Sequence, residues 1–216
     1  MNVSTSDPRV GSRPQLVRRG RRLEYLTIGY NSLEGLIAIV AGALAGSIAL
    51  VGFGVDSCIE VTSGLALLWR LGRDGEHERE QADRVALRIV GLSFLALAAY
   101  VAFEAVRALV RHEPPEASLP GIVLAAASLV VMPLLARAKR SVAGRIRSGA
   151  LAADAKQTEL CTYLSGILLG GLLLNALLGW WWADPVAGLV MVPIIAREGV
   201  AALRGEQCCD SGGCHG

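Results

Sequence analysis

The stretch Gly52-Phe53-Gly54-Val55-Asp56-Ser57-Cys58-Ile59-Glu60 decides the fold, because it places two acids inside an apolar run that extends from about Thr27 to Trp69. A charged carboxylate at the centre of a bilayer costs about 3 kcal/mol unless a neighbouring group neutralises it. Asp56 and Glu60 are one helical turn apart, so both leave the helix on the same side. A divalent cation or a shared proton would need this arrangement. The hypothesis that follows is movement of a metal ion across a membrane.

Composition supports a membrane protein. The chain has 216 residues, of which 53% are hydrophobic and 19% charged, and the charges cluster between long apolar runs. Six spans are predicted, each close to or above the roughly 20 residues needed to cross the hydrocarbon core. They cover residues 26–45, 47–69, 85–109, 118–136, 150–178 and 184–203, with Gly46-Ser47 as the turn between the first two. The predicted fold is an all-α integral membrane protein, a bundle of six transmembrane helices.

The basic residues predict the orientation. They concentrate before the first span, between spans two and three, and between spans four and five, where the loop includes Arg137, Lys139, Arg140, Arg145 and Arg147. The turns after the first and fifth spans contain no Lys or Arg. This positive-inside pattern predicts that both termini lie in the cytoplasm. The first 25 residues are polar and basic, without the apolar core of a signal peptide. Because these arginines lie beside a span, we interpret them as residues that set the membrane topology and not as a nucleic-acid-binding surface. No nucleic-acid partner is therefore expected.

The predicted organisation has three parts. Residues 1–24 form a basic cytoplasmic arm, residues 25–204 the six-helix transmembrane domain, and residues 205–216 a cysteine-rich cytoplasmic tail.

The sixth span follows three tryptophans, which favour the membrane interface, and Asp184 is predicted to cap that helix. Small residues recur at helix-packing spacing at Gly42 and Gly46 and at Gly166 and Gly170, which predicts close helix contacts.

The fifth span carries a second polar stripe. At about 100° per residue, Asp154, Gln157 and Cys161 fall on one side of the helix. Lys156 and Glu159 point elsewhere and could pair with each other at i, i+3. Taken alone, the stripe is either the polar start of a helix or half of a binding site. Facing the pair on the second span, it would complete a set of four ligands.

These features resemble the transmembrane part of the cation diffusion facilitator family, whose members export divalent metals in exchange for protons. The resemblance rests on Gly46-Ser47-Ile48-Ala49-Leu50, on Asp56-Ser57 and Glu60, and on the segment Gly179-Trp180-Trp181-Trp182-Ala183-Asp184-Pro185-Val186-Ala187-Gly188-Leu189. It covers residues 25–204. The family's cytoplasmic domain, which resembles a metallochaperone and helps dimerisation, is not expected in this chain.

The resemblance implies a transport site formed by Asp56, Glu60, Gln157 and Cys161. Gln157 stands where the family has His, and Cys161 stands where it has Asp. Two carboxylates, an amide and a thiolate could still hold zinc tetrahedrally. The thiolate favours thiophilic ions, so zinc is the expected substrate, with cadmium, cobalt and copper as alternatives. Asp154 is a candidate for the cytoplasmic access route.

The expected partners are the lipid bilayer, metal ions and protons, with a homodimer as a further option. No prosthetic group is expected. The compact chain rich in Arg and Ala suits a bacterial plasma membrane.

A final cluster of Cys208, Cys209, Cys214 and His215 is a second candidate metal site, although its spacing matches no standard zinc module. Such a tail either captures thiophilic metal or has no role.

Two alternatives to transport remain at this point. The first is a membrane protein that binds or senses metal without moving it, using the same residues. The second, an intramembrane enzyme, has weak support because no span carries a protease or hydrolase motif. The three histidines, His77, His112 and His215, all lie outside the predicted spans, which argues against histidine-based catalysis. The chain is therefore not expected to be an enzyme.

Overall fold

The structure is a computed structural model that describes residues 13–71, 76–112, 115–146 and 149–204. Within those ranges all regular structure is helical. The six helices are α1 (Arg13–Ala45), α2 (Ile48–Leu71), α3 (Glu76–Arg111), α4 (Leu119–Ile146), α5 (Gly149–Leu178) and α6 (Ala183–Arg204). Each is long and apolar enough to cross a membrane. The predicted all-α membrane bundle is confirmed.

Several helices extend beyond their predicted spans. α1 begins at Arg13, α3 begins at Glu76, and α4 continues to Ile146, well past residue 136. Hydropathy marks only the apolar part of a helix, whereas Arg, Glu and Ala continue a helix readily outside the hydrocarbon core. The basic segment predicted as an inner loop before α5 is therefore mostly the last part of α4.

The turn between α1 and α2 lies where the sequence predicts it. Gly46 has a φ of +67°, a left-handed conformation that favours glycine. The backbone N–H of Ser47 donates to the carbonyl of Gly42 over 2.9 Å and closes the turn. This short connection makes α1 and α2 an antiparallel pair.

Asp184 caps a different helix from the one predicted. Its carboxylate accepts hydrogen bonds from the Ser47 hydroxyl at 2.5 Å and from the backbone N–H of Ile48 at 3.0 Å. Both donors belong to the start of α2, whose first N–H groups have no partner within their own helix. The prediction of a cap for α6 was therefore wrong: the side chain crosses from the first turn of α6 to the start of α2 and ties the two helices together.

The core lies around α2, which packs against α1, α3, α5 and α6. Its Leu50 and Phe53 are fully buried, together with Val101 of α3, Met132 of α4 and Leu168 of α5. A helix surrounded in this way directs one polar face into the protein rather than toward lipid. This position of α2 determines where its two acids lie.

α3 and α6 approach each other through a pair of glycines. A Cβ added to Gly91 would lie 2.8 Å from the carbonyl oxygen of Gly199, and one added to Gly199 would lie 3.0 Å from that of Gly91. By contrast, no atom lies within 4 Å of a Cβ built on Gly170, one of the glycines that the sequence had marked for packing. The prediction of close packing is confirmed at Gly42, where an added Cβ would lie 2.8 Å from the backbone nitrogen of Val51, and the contact between α3 and α6 is at Gly91 and Gly199.

We expect Gly91→Ala to lower the free energy of unfolding by about 1–3 kcal/mol, because the methyl group would force two backbones apart. Gly170→Ala is the matched control: it has room for the methyl group and gains helix propensity, so its stability should be equal or slightly higher. Thermal unfolding of the two purified variants in the same detergent compares them. Equal melting temperatures would show that α3 and α6 do not meet at Gly91.

Candidate functional site

The two acids of α2 lie inside the bundle. Asp56 and Glu60 stand near the middle of the helix and are both buried. The electrostatic interactions of Asp56 are with other carboxylates, those of Glu60, Glu34 and Glu198. Among the side chains that the structure describes, no cationic group forms an ion pair with Asp56. Since an uncompensated negative charge is unstable at this depth, Asp56 must be neutralised by a proton or a bound cation.

The polar stripe of α5 faces these acids. Gln157 and Cys161 are buried, and the thiol of Cys161 interacts electrostatically with Glu60 and Asp56. The hydroxyl of Thr158, between them in sequence, donates a hydrogen bond of 2.7 Å to Oε1 of Glu60. The structure thus brings Thr158 and Cys161 of α5 close to the acids of α2.

A third helix contributes to the cluster, which the sequence analysis did not anticipate. The hydroxyl of Ser57 donates a hydrogen bond of 2.9 Å to Oε2 of Glu34 on α1. Glu34 is buried, as is Asn31 one turn before it. The signal was present in the sequence, since an Asn and a Glu at i, i+3 interrupt an otherwise apolar part of the first span. Intramembrane polar groups of this kind indicate function by default.

Lys139 is a buried cation near the acids, which the sequence analysis did not anticipate. It was assigned to the inner loop, but the structure places it on α4 with 0% of the side chain exposed. Its ammonium group lies 2.5 Å from Oδ2 of Asp154 and 3.1 Å from Oε2 of Glu24. The longer α4 and the flexible lysine side chain together allow this charge to reach the interior.

Lys139 is also linked to Glu60. Its ammonium group donates to the Thr158 hydroxyl at 3.4 Å, and that hydroxyl in turn donates to Glu60. Lys139 also interacts electrostatically with Glu60. A hydrogen-bonded chain therefore runs from the ion pair with Asp154 to Glu60, while Asp56, one turn before Glu60 on α2, is outside this chain. Asp154, the candidate for an access route, is bound to Lys139 in this conformation.

Glu159 pairs differently from the sequence prediction. Its carboxylate forms an ion pair with Arg140 of α4 rather than with Lys156. Both partners are substantially exposed. Lys156 interacts electrostatically with Glu198 of α6. The pair of Glu159 with Arg140 lies outside the buried cluster and provides an exposed counterpart to it.

Several buried polar atoms of the cluster have no hydrogen-bond partner among the described residues. They are Nδ2 and Oδ1 of Asn31, Oε1 of Glu34, Oε2 of Glu60 and Nε2 of Gln157. Buried polar groups are nearly always satisfied, so each exception requires an explanation such as an ion or water. Across the described residues, no three His, Cys, Asp or Glu side chains converge in a geometry that could hold a metal ion. The cluster thus contains buried polar atoms without hydrogen-bond partners, and its candidate ligands do not converge on a single point in this conformation.

A cavity of about 900 Å³ opens between α5 and α6, at the end predicted to face the cytoplasm. Lys156, Leu160, Pro193, Arg197 and Glu198 are among the residues that line it. Glu198, on the wall of this cavity, interacts electrostatically with Asp56. The second predicted metal site, Cys208, Cys209, Cys214 and His215, lies outside the described residues.

Comparison with known proteins identifies transporters among the relatives of this chain. An uncharacterized transporter of Synechocystis sp. is 25% identical over 194 residues, which is 87% of this chain and 63% of the relative. An uncharacterized transporter of Methanocaldococcus jannaschii is 28% identical over 179 residues, 80% of this chain and 63% of the relative. The matched regions thus span less than two thirds of each relative. Residues 25–205 match the family model of the cation efflux transmembrane domain. On the strength of that match and of six membrane-spanning helices around a buried acidic cluster, the chain belongs to the cation efflux family.

Proposed function

We propose that the chain transports divalent metal cations across the membrane and that Asp56, Glu60, Gln157 and Cys161 bind the cation in transit. The observation that carries this proposal is the burial of Asp56 beside other acids, without a cationic partner among the residues described. A transported cation supplies the charge that such a cluster lacks. Membership of the cation efflux family supports transport of a cation but leaves its identity open.

The donor set favours zinc and related ions. Carboxylate, amide and thiolate groups are all within the range of zinc ligands. The Cys161 thiolate adds preference for thiophilic ions over magnesium or manganese. Release and rebinding of protons would accompany metal binding, because metal ligands must be deprotonated. We therefore propose export of a zinc-like cation by proton antiport, the direction being that of the cation efflux family to which the chain belongs.

The route from the cytoplasm would pass through the cavity between α5 and α6. Its wall contains Glu198, whose carboxylate would attract a cation toward Asp56. Asp154 lies at the same end of the bundle and would join the route once it separates from Lys139. In alternating access, closure of α2 against α5 would then assemble the ligands around the ion.

We expect Cys161→Ser to lower uptake of cadmium relative to manganese by about tenfold, since ligand substitutions at metal sites have effects of at least this size. Uptake of zinc, cadmium, cobalt and manganese into inverted vesicles measures the preference. Cys58→Ser is the matched control, because Cys58 is an exposed cysteine on α2. An unchanged cadmium to manganese ratio in Cys161→Ser would exclude the thiol as a ligand. Stoichiometric metal binding by the wild type without any uptake would instead favour a sensor or buffer.

A further inference from the structure

The polar residues of α1 form part of the same buried cluster as the acids of α2. We propose that Glu34 is a third carboxylate ligand of the transported cation and that Asn31 supplies a neutral oxygen ligand beside it. The inference rests on the proposed function and deepens it. It gives the site ligands from three helices, α1, α2 and α5, and makes the donor set richer in oxygen than the sequence indicated.

The first line of support is the position of Glu34. Its Oε2 accepts a hydrogen bond from Ser57, the residue that follows Asp56, so α1 and α2 are joined at the level of the acids. The Glu34 carboxylate also interacts electrostatically with Asp56, Glu60 and Cys161. Glu34 therefore faces ligands of both other helices.

The second line of support is unused bonding capacity. Oε1 of Glu34 forms no hydrogen bond of ordinary geometry within the described residues, although the side chain is almost completely buried and the Tyr30 hydroxyl interacts with the carboxylate. Asn31 is 0% exposed, and both polar atoms of its amide lack a partner in the described part of the chain. Leaving such groups unsatisfied costs about 1–3 kcal/mol each, so a structural role alone does not explain their retention. A cation bound between them would satisfy these atoms.

The third line of support is that Asn31 is directed toward the other acids. It interacts with the carboxylate of Glu60, yet no hydrogen bond of ordinary geometry forms between them. Glu60 keeps its own Oε2 unpartnered, as Gln157 keeps its Nε2. Unpartnered oxygens of Glu34, Asn31 and Glu60 thus lie in the part of the bundle where α1 meets α2. An amide and carboxylates are suitable oxygen ligands for a divalent cation.

Glu24 shows that burial alone does not identify a ligand. It is the other buried acid of α1, but its Oε2 lies 3.1 Å from the Lys139 ammonium group, which supplies the compensating charge. No cation of the described chain pairs with Glu34. Of the two buried acids of α1, Glu24 therefore has a cation that compensates its charge and Glu34 does not. This difference makes Glu34 the candidate ligand.

The test is equilibrium zinc binding to the purified full chain in detergent. Glu34→Gln retains an oxygen that can accept the Ser57 hydrogen bond but removes the charge, and we expect zinc affinity to fall by at least about tenfold. Glu104→Gln is the matched control, because Glu104 pairs with Arg107 on α3, away from the cluster. Its zinc affinity should equal that of the wild type. Thermal unfolding of each variant establishes that the chain is folded.

Zinc binding by Glu34→Gln with wild-type affinity would overturn the inference. If that variant does not fold, Asn31→Ala replaces it: weaker zinc binding by this variant supports α1 ligands, and unchanged binding overturns them. A failure of the proposed function has a different signature, since the wild-type chain would then neither bind nor move a divalent ion. Wild-type transport combined with unchanged binding in the α1 variants would refute only the role of α1.

Discussion

Asp56→Asn is expected to lower metal transport by about 100-fold or more, while the protein remains folded in the membrane. Replacement of a direct ligand should exceed the tenfold to hundredfold effects of outer groups at metal sites. Asp56 is buried among other acids, and within the described ranges no basic side chain pairs with it. Its amide counterpart has nearly the same shape but cannot supply the negative charge that the cation requires. Initial rates of zinc uptake into vesicles measure the effect.

Glu159→Gln is the control for Asp56→Asn. It makes the same change from acid to amide, but at an exposed ion pair with Arg140 on the outside of the cluster. Its uptake should match that of the wild type. Wild-type uptake by Asp56→Asn would show that the cation does not need this carboxylate.

Lys139→Met is expected to destabilise the protein by about 3–5 kcal/mol, the cost of breaking a buried ion pair by removing one partner. The substitution would leave Asp154 and Glu24 buried without their shared cation. Arg140→Met is the neighbouring control, because its ion pair with Glu159 is exposed and should contribute at most about 1 kcal/mol. Chemical denaturation of both variants in the same detergent measures their free energies of unfolding and gives the comparison.

A double variant separates loss of charge compensation from loss of packing. Combining Lys139→Met with Asp154→Asn removes one of the two uncompensated acids, so part of the lost stability should return. Equal destabilisation by Lys139→Met and Arg140→Met would show that the buried network does not stabilise the bundle.

The membrane fold could be predicted because its signals are local. Long apolar runs establish the helices, and the i, i+4 spacing of Asp56 and Glu60 establishes that they share a side. The same periodicity groups Gln157 with Cys161 on α5. That these stripes meet depends on the packing of α2 against α5, which the structure shows. The identity of the bound ion has no comparable local signal.

The remaining features depend on contacts between distant parts of the chain. Lys139 stands among arginines in sequence, and only the extension of α4 reveals that this one basic side chain points inward. Asp184 has the local sequence of a cap for α6, but the start of α2 lies within its reach. Glu34 stands out in the sequence as an intramembrane acid, but its contact with Ser57 of α2 is known only from the structure. Spacing along one helix cannot supply such distances.

Simultaneous measurement of zinc and proton movement in liposomes that contain the purified protein tests the central claim most directly. With an imposed pH gradient, the wild type should move zinc in one direction and protons in the other, and Asp56→Asn should move neither. If the wild type moves no divalent ion under that gradient, or if Asp56→Asn exchanges zinc for protons as the wild type does, transport through this buried acidic cluster is contradicted.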